Sequence, residues 1–135
     1  MKIEIIIILL FTHFVADFIF QDEKWALGKS SSWGDLLKHT TTYSIIFFLV
    51  MCLLSIKELA GFVGLYRLNM VLLFTLITFI VHTITDYITS REVKKKFDAK
   101  KYGSDIPNLG GFTIIGFDQF LHFLQLILTY KLLFL

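Results

Sequence analysis

The chain has four histidines, and each has an aspartate four residues away. His13 precedes Asp17, Asp35 precedes His39, His82 precedes Asp86, and Asp118 precedes His122. On a helix an i, i+4 pair shares one face, about 6 Å apart along the axis. Imidazole with carboxylate suits zinc, manganese or iron, and the single Cys52 excludes a thiolate-rich structural site. The set has enough donors for one ion with spare residues bonded to its ligands, or for two ions bridged by carboxylates. The order H-x-x-x-D then D-x-x-x-H occurs twice, and HFVADFI is echoed by HTITDYI. This predicts an internal duplication of a helical hairpin.

The elements carrying these residues are apolar. Of 135 residues, 56% are hydrophobic and 18% charged, with a mean hydropathy of +0.71, outside the range of a soluble domain. Four apolar blocks, about 2–21, 36–56, 68–90 and 112–135, are each long enough to cross a hydrocarbon core as a helix. None alternates like a barrel strand. The prediction is an all-α polytopic membrane protein, one domain over 1–135, with four transmembrane helices in a bundle. Lys2 and the apolar run 5–11 loosely fit a signal peptide, but no small-x-small site follows and Asp17 stands where one is expected. The first block is therefore read as a span. A net charge of +2 without interleaved aromatic residues excludes nucleic acid as a partner.

Four spans place loops 22–35 and 91–111 on one side. That side holds Lys24, Lys29, Lys38, Arg91, Lys94, Lys95, Lys96, Lys100 and Lys101, against Lys2, Lys57, Arg67 and Lys131 on the other. The positive-inside rule then puts both termini outside the cytoplasm, in an inner membrane. The run REVKKKFDAKK reads first as a topology determinant, and second as an attractor of anionic headgroups or a phosphate-bearing substrate. All four His/Asp pairs then fall in the cytoplasmic leaflet. Asp35, at the edge of its helix, is either an N-cap or a site member. Polar stripes extend from the pairs through Gln21, Thr42 and Tyr43, Thr75 and Thr78, and Gln125 and Thr129. GFVG and GGFTIIGF are helix ends, not phosphate loops. Trp25, Trp33 and Tyr102 suit the headgroup boundary.

An unpaired carboxylate at the bilayer centre costs about 2.5–3.5 kcal/mol. Packing alone does not require several at one depth, so a metal site ranks ahead of a proton- or ion-conducting core and of purely structural pairing. HFVADFIFQ with Trp25 and Lys29 after it, then His39, H-x-x-x-D-Y at 82–87 and FDQFLH at 117–122, resembles domain-of-unknown-function family 3307. That family comprises small multi-span membrane proteins of bacteria and their phages. The resemblance covers nearly the whole chain and implies a site of His13, Asp17, Gln21, His39, His82, Asp86, Asp118, Gln119 and His122. It also implies a lysine where this chain has Thr89, and it does not extend to Asp35.

The expectation is a metal-dependent hydrolase of a lipid-linked or membrane-proximal substrate. A divalent transition metal, zinc first and manganese or iron next, is expected on His13, His39, His82 and His122 with Asp17, Asp86 and Asp118. These three aspartates are also the candidates for the catalytic base, while Gln21, Gln119 and Lys29 are candidates for substrate binding. The alternatives are a metal-ion or proton transporter, and an interaction protein whose metal only staples the bundle. Membrane lipids are expected partners, and a homodimer is compatible with so small a bundle.

Overall fold

Long apolar runs in a chain with one proline leave the helix as the backbone state that bonds every N–H and C=O internally. The structure is a computed structural model that describes residues 1–56, 61–103 and 109–135, without the side chains of 61–65. Helix α1, Ile3–Phe14, runs directly into a π-helical turn, Val15–Ile19. A short α2, Glu23–Gly28, lies in the first connection. Three long helices follow: α3, Trp33–Leu54; α4, Gly61–Asp98; and α5, Gly111–Phe134. The described residues contain no strand. Lys57 and the side chains of GFVG lie outside the described residues.

Three of these helices, not four, are long and apolar enough to cross a membrane: Trp33–Leu54, Tyr66–Asp98 and Gly111–Phe134. The expected first span falls short because its α-helix is only 12 residues long, rising about 18 Å. Beyond Phe14 the backbone widens into the π turn, with Phe20 N–H bonded to Val15 O at 3.0 Å. The chain then leaves the helix at Phe20, although the sequence there is still apolar. The segment nevertheless packs against α3 and α5. It buries Leu9, Thr12, His13, Ala16 and Asp17 and exposes Ile3, Ile7, Phe11, Phe14 and Phe18.

Each long helix buries one stripe at three- and four-residue spacing. In α3 the stripe is Leu36, His39, Tyr43, Phe47 and Met51; in α4 it is Val71, Phe74, Thr78, His82, Asp86 and Thr89. In α5 it is Asp118, His122, Leu126 and Thr129. The apolar ends of the stripes meet in a core of Leu9, Tyr43, Phe47, Met51, Val71, Phe74 and Leu126. The polar ends meet beside α2, so α2 and the last turns of α4, both predicted for one side, lie at the same end of the bundle. There Trp33 stacks on Tyr87 at 4.7 Å, and the Arg91 guanidinium sits 3.6 Å over the Tyr87 ring, which fixes the start of α3 against α4.

Ser32, not Asp35, caps α3, its hydroxyl accepting the Asp35 N–H at 3.2 Å. The Asp35 carboxylate lies against Gly28, on α2. Helix α4 is about 57 Å long and runs past any bilayer core. It ends on Lys100 in the left-handed region (φ 56°), with Lys101 N–H bonded back to Lys96 O at 2.8 Å.

The start of α5 is held by close backbone approach. A Cβ on Gly110 would run into the carbonyl of Gly103, and one on Gly111 into the Phe97 ring. Gly110→Ala is therefore expected to destabilise the protein by about 1–3 kcal/mol, as overpacking does. Thermal unfolding in detergent measures this, and an unchanged midpoint would show that the connection yields freely.

Candidate metal centre

The stripes bring all four histidines into one layer and three of the four aspartates paired with them in sequence into the layer beneath α2. Every histidine is at most 1% exposed, and Asp17, Asp86 and Asp118 are 3%, 1% and 7% exposed. Asp17 sits within the π turn, where wider winding re-aims a side chain relative to an α-helix; such turns are frequent at functional sites. Its Oδ2 lies 3.7 Å from His13 Nε2 one turn earlier, while its Oδ1 faces His39 Nε2 at 3.2 Å and His82 Nε2 at 3.8 Å. No hydrogen bond satisfies that Oδ1.

Four atoms from three segments form a cage: Asp17 Oδ1, His39 Nε2, His82 Nε2 and Asp86 Oδ2. His39 Nε2 is 3.1 Å from His82 Nε2 and 2.9 Å from Asp86 Oδ2, and His82 Nε2 is 3.6 Å from the same oxygen. Donors about 2.1 Å from a shared ion lie about 3.4 Å from one another in tetrahedral coordination and about 3.0 Å in octahedral. Five spacings among these atoms, from 2.9 to 3.8 Å, bracket these values, and two of them, at 3.6 and 3.8 Å, are too long for hydrogen bonds. Asp17, His39 and His82 form one group able to hold an ion, and His82, Asp86 and His122 form another.

The other predicted residues surround this cage. His13 gives Nε2 to Gln119 Oε1 at 2.7 Å and Nδ1 to the Tyr43 hydroxyl at 2.7 Å. The Gln119 amide nitrogen reaches Asp17 Oδ2 at 3.2 Å and Asp118 Oδ2 at 3.1 Å, and carboxylates only accept, so the amide orientation is fixed. Its oxygen then accepts from His13 Nε2–H, and Nδ1 accepts from Tyr43. His13 has no free ring nitrogen in this arrangement. Gln119, expected to meet substrate, spends its amide on three partners of the centre. Asp118 accepts from Thr89 Oγ at 2.5 Å and stands 3.4 Å from His122 Nε2. Asp35 lies outside the centre.

Lys29, on the turn after α2, donates to Asp86 Oδ2 at 2.9 Å. Burial acts to lower its pKa, but the charges of Asp86 and Asp17 and the bond to Asp86 outweigh that and hold it above the ordinary lysine value. With neutral rings, three carboxylates and one ammonium leave the centre formally at −2, which one divalent cation neutralises.

Asp17, Asp86 and Asp118 form the floor of a cleft of about 430 Å³. Its walls include Phe18, Leu27, Val93, Phe97 and Ile115, with Lys29, Ser30, Ser31 and Lys94 contributing polar groups. Gln21 lines it too, with its Oε1 buried and unpartnered, as is the Ser90 hydroxyl. On the far side of the histidines, Tyr43, Phe47, Phe74 and Leu126 are fully buried, and among them Gln125 donates to Thr78 at 3.2 Å and Thr129 at 3.1 Å.

In the sequence Tyr43 stands in a polar stripe with no role of its own. Its ring stacks on His82, with centroids 3.8 Å apart and planes 10° apart, while its hydroxyl holds His13. Its position one turn after His39 was the available signal. Thr89, one turn after Asp86, was likewise legible only as an absent lysine. Tyr43→Phe strands the His13 Nδ1 acceptor and is expected to cost about 1–3 kcal/mol. Unfolding in detergent reads this directly, and no loss would mean that the nitrogen finds another donor.

The profile of the family described as "Protein of unknown function (DUF3307)" matches residues 5–135. No curated protein and no solved structure matches the chain.

Proposed function

The chain belongs to the DUF3307 family of proteins of unknown function, and from that premise we propose that it is a membrane hydrolase whose His/Asp cage holds a divalent transition metal. Its substrate would be a lipid-linked or headgroup-level ester, phosphoryl or acyl. The carrying observation is that His39 and His82 each face both Asp17 and Asp86 at the floor of a cleft with a polar base and apolar walls. A divalent ion held there by Asp17, His39, His82 and Asp86 would supply Lewis acidity and lower the pKa of a water towards neutrality. The chain's own residues then position the rest. Lys29 uses one of its three ammonium donors on Asp86 and, at the cleft edge, has others for an anionic group. Gln21 offers an unpaired acceptor, and Asp118 is the floor carboxylate outside the cage. The phenylalanine and aliphatic walls suit an acyl or isoprenoid chain.

Beyond the histidines the fully buried Phe47, Phe74 and Leu126 surround a polar trio, Thr78, Gln125 and Thr129, bonded within itself, which favours a one-sided reaction site over a transit path. The test uses protein purified in detergent and loaded with zinc, manganese or iron. Hydrolysis of short-chain phosphate-ester or carboxyl-ester lipids is expected, lost on chelation and on Asp17→Asn. Metal-loaded protein that leaves both ester classes intact but passes ions across proteoliposomes would establish the transporter instead.

A further inference from the structure

We propose that His122 is a positioning residue and not a ligand: it accepts the Nδ1 proton of His82, which leaves Nε2 of His82 free to hold the ion. The assignment rests on the metal-centre reading above and divides its four histidines into two that bind and two that orient.

The argument is a proton count. His82 and His122 meet Nδ1 to Nδ1 at 3.1 Å, a separation with room for one hydrogen. On the other edge of His122, Nε2 faces Asp86 Oδ1 and Asp118 Oδ2, each at 3.4 Å. Both are carboxylate oxygens that only accept, so once a divalent ion balances the carboxylates and the ring is neutral, Nε2 carries the proton and directs it between them. Nδ1 of His122 is then the acceptor, and the proton in the Nδ1–Nδ1 contact belongs to His82. The lone pair of His82 is therefore on Nε2, the nitrogen that points at Asp17 Oδ1, Asp86 Oδ2 and His39 Nε2.

Asp118 anchors this arm. Thr89 and Gln119 each donate to it, and it holds His122 from one turn away on α5. A ligand imidazole whose other nitrogen is fixed by a hydrogen-bonded partner is the usual way a metal site sets tautomer and ring orientation. His13 is arranged in parallel, with Gln119 accepting on one side and Tyr43 donating on the other. The two D-x-x-x-H motifs thus supply different functions: His39 faces the cage and His122 supports it.

X-ray absorption on the metal-loaded wild-type protein in detergent counts the imidazoles on the ion. Two are expected. One, three or four imidazoles around a bound ion would overturn this assignment and leave the metal centre standing. Protein that takes up no metal under any loading condition would defeat both. The variants add a second measurement. His122→Phe, which keeps the ring but removes the acceptor, is expected to weaken metal affinity about 10–100-fold while still binding one ion per chain. His122→Gln, whose amide oxygen can accept from His82, is expected to recover part of that loss. The cobalt-loaded protein should show shifted visible bands in the Phe variant with the imidazole count unchanged. A His122→Phe protein with one imidazole fewer per ion would make His122 a ligand.

Discussion

Stripping bound metal from the purified protein with a chelator is expected to lower its melting temperature by on the order of 10 °C. The reason is electrostatic. Asp17, Asp86 and Asp118 converge in a site where none exceeds 7% exposure, and among the described residues Lys29 supplies the one ammonium bonded to them. Buried like charges destabilise a packed state unless a counter-charge lies among them. An ion present at a thousand times its dissociation constant contributes about 4 kcal/mol by linkage alone. For a chain of this size that corresponds to roughly 10 °C or more. Calorimetry or circular dichroism in detergent, before and after chelation and after metal is returned, makes the measurement. A midpoint that does not move, or does not recover on return of metal, would mean that no cation belongs among those carboxylates.

The second large effect is expected from His82→Ala. His82 is common to both groups able to hold an ion. Its Nε2 is a cage corner, its Nδ1 meets His122 and its face covers Tyr43. Bound metal in the purified variant should fall to background, a larger loss than the roughly 10–100-fold that removing an outer partner costs. The metal-free variant should also lose about 2–4 kcal/mol because a fully buried ring leaves a cavity. Leu126→Ala is the control. Leu126 is fully buried in the apolar core, so its truncation should cost comparable stability and keep the ion. Equal metal content in the two variants would separate His82 from the binding function.

Much of the centre was legible in the sequence, because an i, i+4 spacing on a helix fixes which residues share a face whatever the neighbours do. His13 with Asp17, His82 with Asp86 and Asp118 with His122 could therefore be placed together before any fold was known. Their roles could not, because those are set by partners from other helices. Tyr43 on α3 and Gln119 on α5 occupy both nitrogens of His13, and no local pattern announces either contact. Asp35 and Asp118 stand at the same spacing from their histidines, yet one lies in the first turn of α3 and the other two turns into α5. Only the second reaches the floor. The span count was overestimated for a related reason: Phe18, Ile19 and Phe20 are apolar letters, and hydropathy does not register that the backbone widens and leaves the helix there.

That early ending has a consequence for the surrounding lipid. Even at the full α-helical rise, the seventeen helical residues from Ile3 to Ile19 would span at most about 26 Å, several ångströms short of a typical hydrocarbon slab. Lipids beside a short element compress to meet it, so the bilayer should be dimpled along α1. Phe18, near its end, is also part of the cleft wall. The thinnest patch of membrane around this protein would then lie next to the three carboxylates, and an amphiphile would have the least distance to sink before reaching them.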